Sequence, residues 1–134
     1  MDLSTKEKMI VYIVDDDNDD LEIFTEILSE IDDSIKCISF VNGREALNLL
    51  MEEGIILPDF IFVDLNMPVM NGFEFLKAIK KHDNLVGLPV IIYTTSSEQK
   101  HKDEVKRLGA SSFITKPSDL HELKRELDKV ITGA

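Results

Sequence analysis

The chain has 134 residues, and 15 lysines and arginines stand against 26 aspartates and glutamates, so the formal net charge is −11. This length matches one domain, and 43% apolar residues indicate a globular fold. The acidic balance argues against binding to nucleic acid or to an acidic membrane surface through charge. The single cysteine, Cys37, cannot form an internal disulfide, and no apolar run approaches the roughly 18 residues of a membrane span. With a polar start in place of a signal peptide, a cytoplasmic protein is expected.

Five short apolar runs, rich in β-branched and aromatic residues, predict β-strands. Most of them do not alternate apolar with polar residues, which is typical of strands buried on both faces of a parallel sheet. In chain order the predicted strands are 9–14, 35–41, 60–63, 90–93 and 112–114.

Segments with helical spacing of apolar residues lie between these runs. The first helix has an apolar stripe from Leu21 to Ile31, and Asp19 and Asp20 are expected to stabilise its positive N-terminal end. The second has a stripe over 46–51 and is expected to end at Gly54 as a C-cap. The third has its stripe over 73–79.

The last two predicted helices differ in how firmly they should be anchored. Segment 97–108 has only Val105 and Leu108 as a late apolar pair, which predicts a helix with a mostly solvated face and some mobility. The final helix has a stripe over 120–131 and opens at Asp119, with Glu122 in place for a capping box.

Five strands alternating with five helices predict a three-layer α/β domain with right-handed crossovers. Ligands of such sheets bind beyond the carboxyl ends of the strands. The residues that follow each predicted strand are therefore the candidates for function.

Polar residues follow four of the five predicted strands. Asp15, Asp16 and Asp17 follow the first strand, Asp64 the third, 94–96 the fourth, and Lys116 the fifth. In a parallel sheet, carboxylates, hydroxyls and an ammonium group would meet at one edge. For any single one of these residues a scattered, solvated rim of loops is the better interpretation, and it is their combination that favours a site.

Carboxylates brought close together repel unless a cation holds them. Mg²⁺ takes oxygen ligands, one or two of them carboxylates, and also recruits phosphate oxygens. A carboxylate can itself act as a nucleophile and form an aspartyl phosphate. Lys116 and Thr94 would help to neutralise charge in such a phosphoryl transfer.

The ordered motifs resemble the receiver domains of two-component response regulators over about residues 9–132. This resemblance implies a flavodoxin-like three-layer sandwich with a five-stranded parallel sheet in the order 2-1-3-4-5 and five helices. The motifs that carry it are 13–17 (IVDDD), 63–68 (VDLNMP), 71–72 (NG), 89–94 (PVIIYT) and 109–117 (GASSFITKP).

The resemblance assigns the phosphoacceptor and the metal ligands. Asp64 matches the phosphoacceptor, which also contacts the metal. Asp16 would bind Mg²⁺ directly, Asp15 mostly through water, and Asn66 through its backbone carbonyl. Mn²⁺ could take the place of Mg²⁺.

The resemblance also assigns the residues that respond to phosphorylation. Lys116 would contact the phosphoryl group, Thr94 would move to hydrogen-bond it, and Phe113 matches the aromatic residue that swings inward with Thr94. The bond between Lys116 and Pro117 is usually cis in this family, against a general frequency of about 5–6% for X–Pro bonds.

Three positions bear on access to the site and on phosphoryl lifetime. The residue after the switch hydroxyl is commonly small, and the β-branched Thr95 departs from that pattern and could narrow access. Asn66 and Ser96 occupy the two positions that tune how long the phosphoryl group lasts.

The expected function is a stand-alone switch. Residues 1–8 read as a polar tail, 9–132 as the receiver domain, and no output domain is expected. The phosphoryl group would come from a sensor histidine kinase or a histidine phosphotransfer protein and would change the surface around helix 4, strand 5 and helix 5. The protein would catalyse only its own phosphorylation and dephosphorylation, act on an unidentified downstream protein, and bind neither nucleic acid nor membrane.

Two alternatives stay open at this point. One is a docking module that keeps the receiver fold but never needs phosphate, although such proteins tend to lose the acidic pair, the acceptor or the lysine. The other is a relay intermediate or phosphate sink. The run 94–96 (TTS) is also found in small regulators paired with phytochrome-like kinases, which often dimerise.

Overall fold

The computed structural model describes residues 8–133, so the predicted polar tail 1–8 lies outside the described residues except for Lys8. Five strands alternate with five helices along the chain. They are β1 (Ile10–Val14), α1 (Asn18–Ile31), β2 (Lys36–Phe40), α2 (Gly43–Leu50), β3 (Phe60–Val63), α3 (Gly72–Lys81), β4 (Val90–Thr94), α4 (Gln99–Arg107), β5 (Ser112–Thr115) and α5 (Leu120–Thr132).

The strands form one parallel sheet in the order β2-β1-β3-β4-β5, which confirms the predicted order. Val14 at the end of β1 pairs with Phe40 of β2 on one side and with Val63 of β3 on the other. Strands β1, β3 and β4 are almost entirely buried, whereas the edge strands β2 and β5 are only partly so. The unbroken apolar runs of the central strands follow from this, because both of their faces are covered.

Successive side chains of each central strand enter opposite layers of the core, as the two-residue period of a strand requires. On one face, Val14, Val63 and Ile92 pack with residues of α2, α3 and α4. On the other face, Ile13 and Phe62 pack with residues of α1 and α5. Helices therefore cover both faces of the sheet, and the predicted three-layer sandwich is confirmed.

Two helix ends differ from the sequence prediction. Helix α2 ends at Leu50 with Met51 as its C-cap, and Gly54 (φ +78°) lies in the turn beyond it, so Gly54 as C-cap was wrong. The apolar stripe ends at Met51, and the left-handed turn that needs glycine comes three residues later. At α5, the N-cap Asp119 accepts from the His121 N–H, whereas the predicted capping box would use the N–H of the next residue, Glu122.

Helix α4 is held by few apolar contacts, as predicted. Val105 is its one buried residue, and Leu108, its C-cap, is half-buried. At its start, the N-cap Glu98 makes no side-chain capping hydrogen bond. Helix α3, by contrast, begins with a complete capping box between Asn71 and Glu74.

Within the described range 8–133, no helix combines the length and apolar character needed to cross a membrane.

Candidate functional site

Backbone hydrogen bonds extend the sheet ladder one residue past the strands and thereby place the polar residues. The Asp15 N–H donates to the Phe40 carbonyl over 3.0 Å, and the Asp64 N–H donates to the Val14 carbonyl over 3.0 Å. The Lys116 N–H donates to the Thr94 carbonyl over 2.7 Å. Asp15, Asp64, Thr94 and Lys116 therefore start from the same edge of the sheet.

The ammonium group of Lys116 lies at the centre of this edge. Its Nζ is 2.6 Å from Asp15 Oδ2, 2.7 Å from Asp20 Oδ2 and 3.3 Å from Asp64 Oδ2. The Lys116 side chain is only 9% exposed, and that of Asp15 is fully buried. Three carboxylates thus share one largely buried cation.

Asp15, Asp16 and Asp64 form the acidic cluster of the site. One carboxylate oxygen from each lies within 4.8 Å of the other two. Asp15 and Asp64 are buried, while Asp16 is exposed at the mouth. Clustered carboxylate oxygens open to solvent are the donor set that hard divalent cations prefer, so the residues present fit Mg²⁺ or Mn²⁺.

Burial dominates the electrostatics of the two innermost groups. Desolvation raises the pKa of Asp15 above its usual range, although hydrogen bonds from Lys116 and from the Asp17 N–H oppose that rise. For Lys116, burial by itself would lower the pKa, but its hydrogen bonds to Asp15 and Asp20 raise it overall. Lys116 therefore stays charged at neutral pH.

The ring of Tyr93 faces the ammonium group of Lys116. Lys116 Nζ lies 5.3 Å from its centroid, within the range of a cation–π contact. Burial raises the pKa of the Tyr93 hydroxyl to about 12, so the phenol stays neutral.

The loop after β3 closes over the backbone of Asp64. The Asn66 N–H points to Asp64 Oδ1 at 3.3 Å, and the Gly72 N–H donates to the Leu65 carbonyl over 3.1 Å. A Cβ at Gly72 would lie 2.5 Å from the Asp64 carbonyl oxygen, so only glycine permits this approach. In the same loop the exposed Val69 adopts φ +67°, a strained conformation for a β-branched residue.

A cavity of about 300 Å³ opens beside the acidic cluster. It lies between the β1–α1 loop, which contributes Asp16, and the β3–α3 loop with the start of α3. The cavity therefore reaches the acidic cluster at its exposed member, Asp16. Its lining residues are Asp16, Leu65, Asn66, Met67, Pro68, Asn71 and Phe73.

The two adjacent threonines at the end of β4 differ in burial. Thr94 is fully buried, and its Oγ1 accepts from the Ser96 N–H over 3.4 Å, whereas Thr95 is exposed. The Ser96 hydroxyl lies 2.7 Å from Nδ1 of His101 on α4, and its carbonyl accepts from Thr115 on β5. His101 is half-buried, and its contact with Ser96 connects the loop after β4 to α4.

Phe113 lies away from the carboxylates, on β5 beneath α4. Its ring is half-buried, and Lys102 Nζ is 5.7 Å from the ring centroid. Between α4 and β5 a second cavity of about 240 Å³ is lined by Val105, Ala110 and Phe113, among others.

The structure brings Asp15, Asp16, Asp64 and Lys116 together as the sequence suggested. It also adds Asp20, which was expected only to stabilise the helix N-terminus but contacts Lys116. A signal was present, because Asp20 lies four residues before the buried Phe24 and so on the helix face that packs on the sheet.

The expectation of a cis bond before Pro117 was wrong. The described residues contain no cis peptide bond, so the Lys116–Pro117 bond is trans. Trans is the lower-energy isomer of an X–Pro bond by about 0.5–1 kcal/mol.

A five-stranded parallel sheet in this order, with acidic residues and a lysine at its carboxyl edge, defines a flavodoxin-like receiver fold. The family model of the response regulator receiver domain matches residues 11–128. The chain therefore belongs to the receiver domain family of two-component systems, whose signalling depends on phosphorylation. The cluster of Asp15, Asp16 and Asp64 fits Mg²⁺ binding and phosphorylation.

Two curated relatives are similar to this chain over more than nine tenths of its length. Protein PilH of Pseudomonas aeruginosa is 30% identical over 123 residues, which cover 92% of this chain and 98% of PilH. The protein-glutamate methylesterase/protein-glutamine glutaminase of Clostridium acetobutylicum is 37% identical over 128 residues. These cover 93% of this chain but only 35% of that relative.

Solved structures carry the same fold. The phosphorylated cyanobacterial phytochrome response regulator RcpA aligns with a TM-score of 0.86 and 25% identity, covering 96% of this chain and 97% of RcpA. The Mn²⁺-bound form of the response regulator Rcp1 aligns with a TM-score of 0.80 and 27% identity over 92% of each chain. Chemotaxis protein CheY4 of Vibrio cholerae aligns with a TM-score of 0.77 and 30% identity, covering 92% of this chain and 99% of CheY4.

Proposed function

We propose that Asp64 accepts a phosphoryl group from a phosphohistidine of a sensor histidine kinase or a histidine phosphotransfer protein, in a Mg²⁺-dependent reaction. The observation that carries this proposal is the cluster of Asp15, Asp16 and Asp64, with carboxylate oxygens within 4.8 Å, beside the buried ammonium of Lys116. The reaction is proposed for the cytoplasm, which is typical of this family.

The acidic cluster would hold the metal. Asp16 and Asp64 would contribute carboxylate oxygens, Asp15 would contact the metal mostly through water, and Asn66 would contribute its backbone carbonyl. When bound, Mg²⁺ would supply positive charge against the phosphoryl oxygens. The open position of Asp16 leaves the cluster accessible from solvent.

Asp64 would then act as the nucleophile. A carboxylate oxygen of Asp64 forms a bond to phosphorus, the phosphorus–nitrogen bond of the phosphohistidine breaks, and the departing imidazole keeps the electron pair and takes up a proton. Lys116, 3.3 Å from Asp64 Oδ2, is close enough to offer its positive charge to the phosphoryl oxygens. Thr94 would turn its hydroxyl towards the same group.

The new contacts would bias a two-state equilibrium that includes α4. Moving such an equilibrium from 1:99 to 99:1 takes about 5.5 kcal/mol, and hydrogen bonds to charged groups contribute roughly 1.5–3 kcal/mol each. Movement of Thr94 and Phe113 would change the surface of α4, β5 and α5, where a downstream protein binds. Hydrolysis of the aspartyl phosphate by the protein itself would reset the switch.

The test is the intact mass of the protein after incubation with acetyl phosphate, with and without Mg²⁺, beside Asp64→Asn. We expect one phosphoryl adduct that is labile to base and requires both Mg²⁺ and Asp64. The Asn variant keeps the size of the side chain and one acceptor oxygen, but it lacks the charge and the nucleophilic carboxylate.

The outcomes separate the two classes of function. An adduct that still forms in Asp64→Asn would show that another residue is the phosphoacceptor. If the wild-type protein neither forms an adduct nor binds Mg²⁺, the result would instead support the phosphate-independent docking module. If the wild-type protein binds Mg²⁺ but shows no adduct, binding of beryllofluoride, which mimics the phosphoryl group, is tested next. Binding would indicate that the adduct forms and is hydrolysed quickly, and a lack of binding would indicate that Thr95 blocks access.

A further inference from the structure

Lys116 is bound more closely to Asp20 than to the acceptor. Its Nζ is 2.7 Å from Asp20 Oδ2 and 3.3 Å from Asp64 Oδ2. Asp15, at 2.6 Å, completes the set of its carboxylate partners in the described chain. One ammonium group has three protons, and the two shortest contacts direct two of them away from Asp64.

The local structure of α1 explains why Asp20 reaches Lys116. Asp17 caps the helix by accepting from the N–H groups of Asp19 and Asp20. Asp20 lies one turn before Phe24, which is fully buried against the sheet, so its side chain leaves the helix on the same face. The side chain of Asp20 is 30% exposed, so it sits at the boundary between solvent and site.

Stabilising a helix N-terminus does not account for this contact. The exposed Asp19 is also in the first turn and places the same charge near the helix end. Asp20 forms an ion pair with a lysine 96 residues away, whereas the more exposed Asp19 is not among the partners of Lys116.

We propose that Asp20 is a positioning residue that holds Lys116 back from Asp64 and so slows phosphorylation. This inference rests on the proposed function. As phosphoryl transfer proceeds, negative charge grows on the phosphoryl oxygens beside Asp64, and Lys116 must move towards them to neutralise it. Asp20 competes for the same ammonium group throughout, so it stabilises the resting state more than the transition state.

The experiment compares Asp20→Asn with the matched control Asp19→Asn, in the full chain with acetyl phosphate at saturating Mg²⁺. Both variants remove one negative charge from the first turn of α1, and only the first removes a partner of Lys116. We expect Asp20→Asn to be phosphorylated at least about threefold faster than Asp19→Asn, well within the range that one weakened charged contact can produce. Asp20→Glu should return the rate to within about twofold of the wild type, because it restores the charge.

A second readout follows Lys116 directly. The ¹⁵N and ¹H resonances of its ammonium group should shift in Asp20→Asn and stay in place in Asp19→Asn. Equal phosphorylation rates for the two Asn variants, an unmoved Lys116 resonance, or a failure of Asp20→Glu to restore the slow rate would each overturn the inference. A wild-type protein that forms no adduct would overturn the proposed function instead.

Discussion

At the residue scale, Gly72 shows how tightly the backbone packs around the acceptor. An added Cβ would lie 2.5 Å from the Asp64 carbonyl oxygen and 2.8 Å from Leu65 Cα. Both are backbone atoms, which cannot swing aside as the end of a flexible side chain can. The glycine therefore allows the start of α3 to lie directly against the strand end that carries Asp64.

We expect Gly72→Ala to lower the free energy of unfolding by about 1–3 kcal/mol, because overpacking forces the backbone to shift. Urea unfolding followed by far-ultraviolet circular dichroism measures this change. Gly87→Ala is the control, since nothing lies within 4 Å of a Cβ there. It should be neutral or stabilising by up to about 1 kcal/mol. Equal stability of Gly72→Ala and wild type would show that the loop adapts freely.

Single residues also mark where sequence reasoning succeeds. Asp64 directly follows an apolar run and Lys116 follows one with only Thr115 between, and parallel strands carry such residues to one edge. The contact between Asp20 and Lys116 joins residues 96 positions apart, so it depends on how α1 packs on the sheet. No local pattern specifies that packing angle.

At the scale of elements, α4 is the helix with the weakest anchoring to the core. It buries Val105 alone, whereas α3 buries four residues, among them Phe75 and Leu76. The N-terminus of α3 has a capping box, and that of α4 has no side-chain cap. Few apolar contacts and an uncapped end are the physical basis of low local stability.

Backbone amides of α4 should therefore exchange with solvent at least about tenfold faster than those of α3 in the unphosphorylated protein. Hydrogen exchange read by mass spectrometry on peptides from the two helices measures this difference. The capped helix α3 is the internal control in the same sample. Slower exchange in α4 than in α3 would contradict its role as the element that moves.

Elements also differ in how well the sequence marks their ends. Strand β3 is bounded residue for residue as predicted, because polar residues flank its apolar run on both sides. The end of α2 was misplaced because Gly54 is typical of a C-cap, and the helix stops where its apolar stripe leaves the core. The capping box expected at α5 occurs at α3 instead.

At the scale of the whole molecule, the net charge of −11 opposes compact folding through self-repulsion. Much of this charge lies on exposed side chains, where salt screens it. The contact between Lys116 and Asp15 is screened far less, because both side chains are largely shielded from solvent.

Raising sodium chloride from about 0.01 M to about 0.15 M shortens the screening length from roughly 30 Å to 8 Å. We expect the free energy of unfolding to rise by about 1 kcal/mol as the self-repulsion is screened. Urea titrations at the two salt concentrations, with divalent ions removed by a chelator, measure this. A fall in stability with salt would mean that attractive ion pairs outweigh the repulsion.

The sequence by itself determined the class of fold and the chemical identity of the site. Apolar runs and helical stripes are local patterns, and the two-residue and 3.6-residue periods convert them directly into strands and helices. Once the strands are parallel, the polar residues after them must share an edge. The α/β layers, the acidic cluster and the lysine could therefore be predicted from these patterns, and the strand order of the receiver fold from the resemblance that the motifs carry.

Which side chains and backbone groups contact one another depends on how the elements pack in three dimensions. The pairing of Lys116 with Asp20 and not with Asp19, and the close approach of Gly72 to Asp64, both arise where separate elements meet. These contacts depend on the packing of α1, α3 and the β5–α5 loop against the sheet. That packing is a property of the whole assembled core, which no single stretch of sequence encodes.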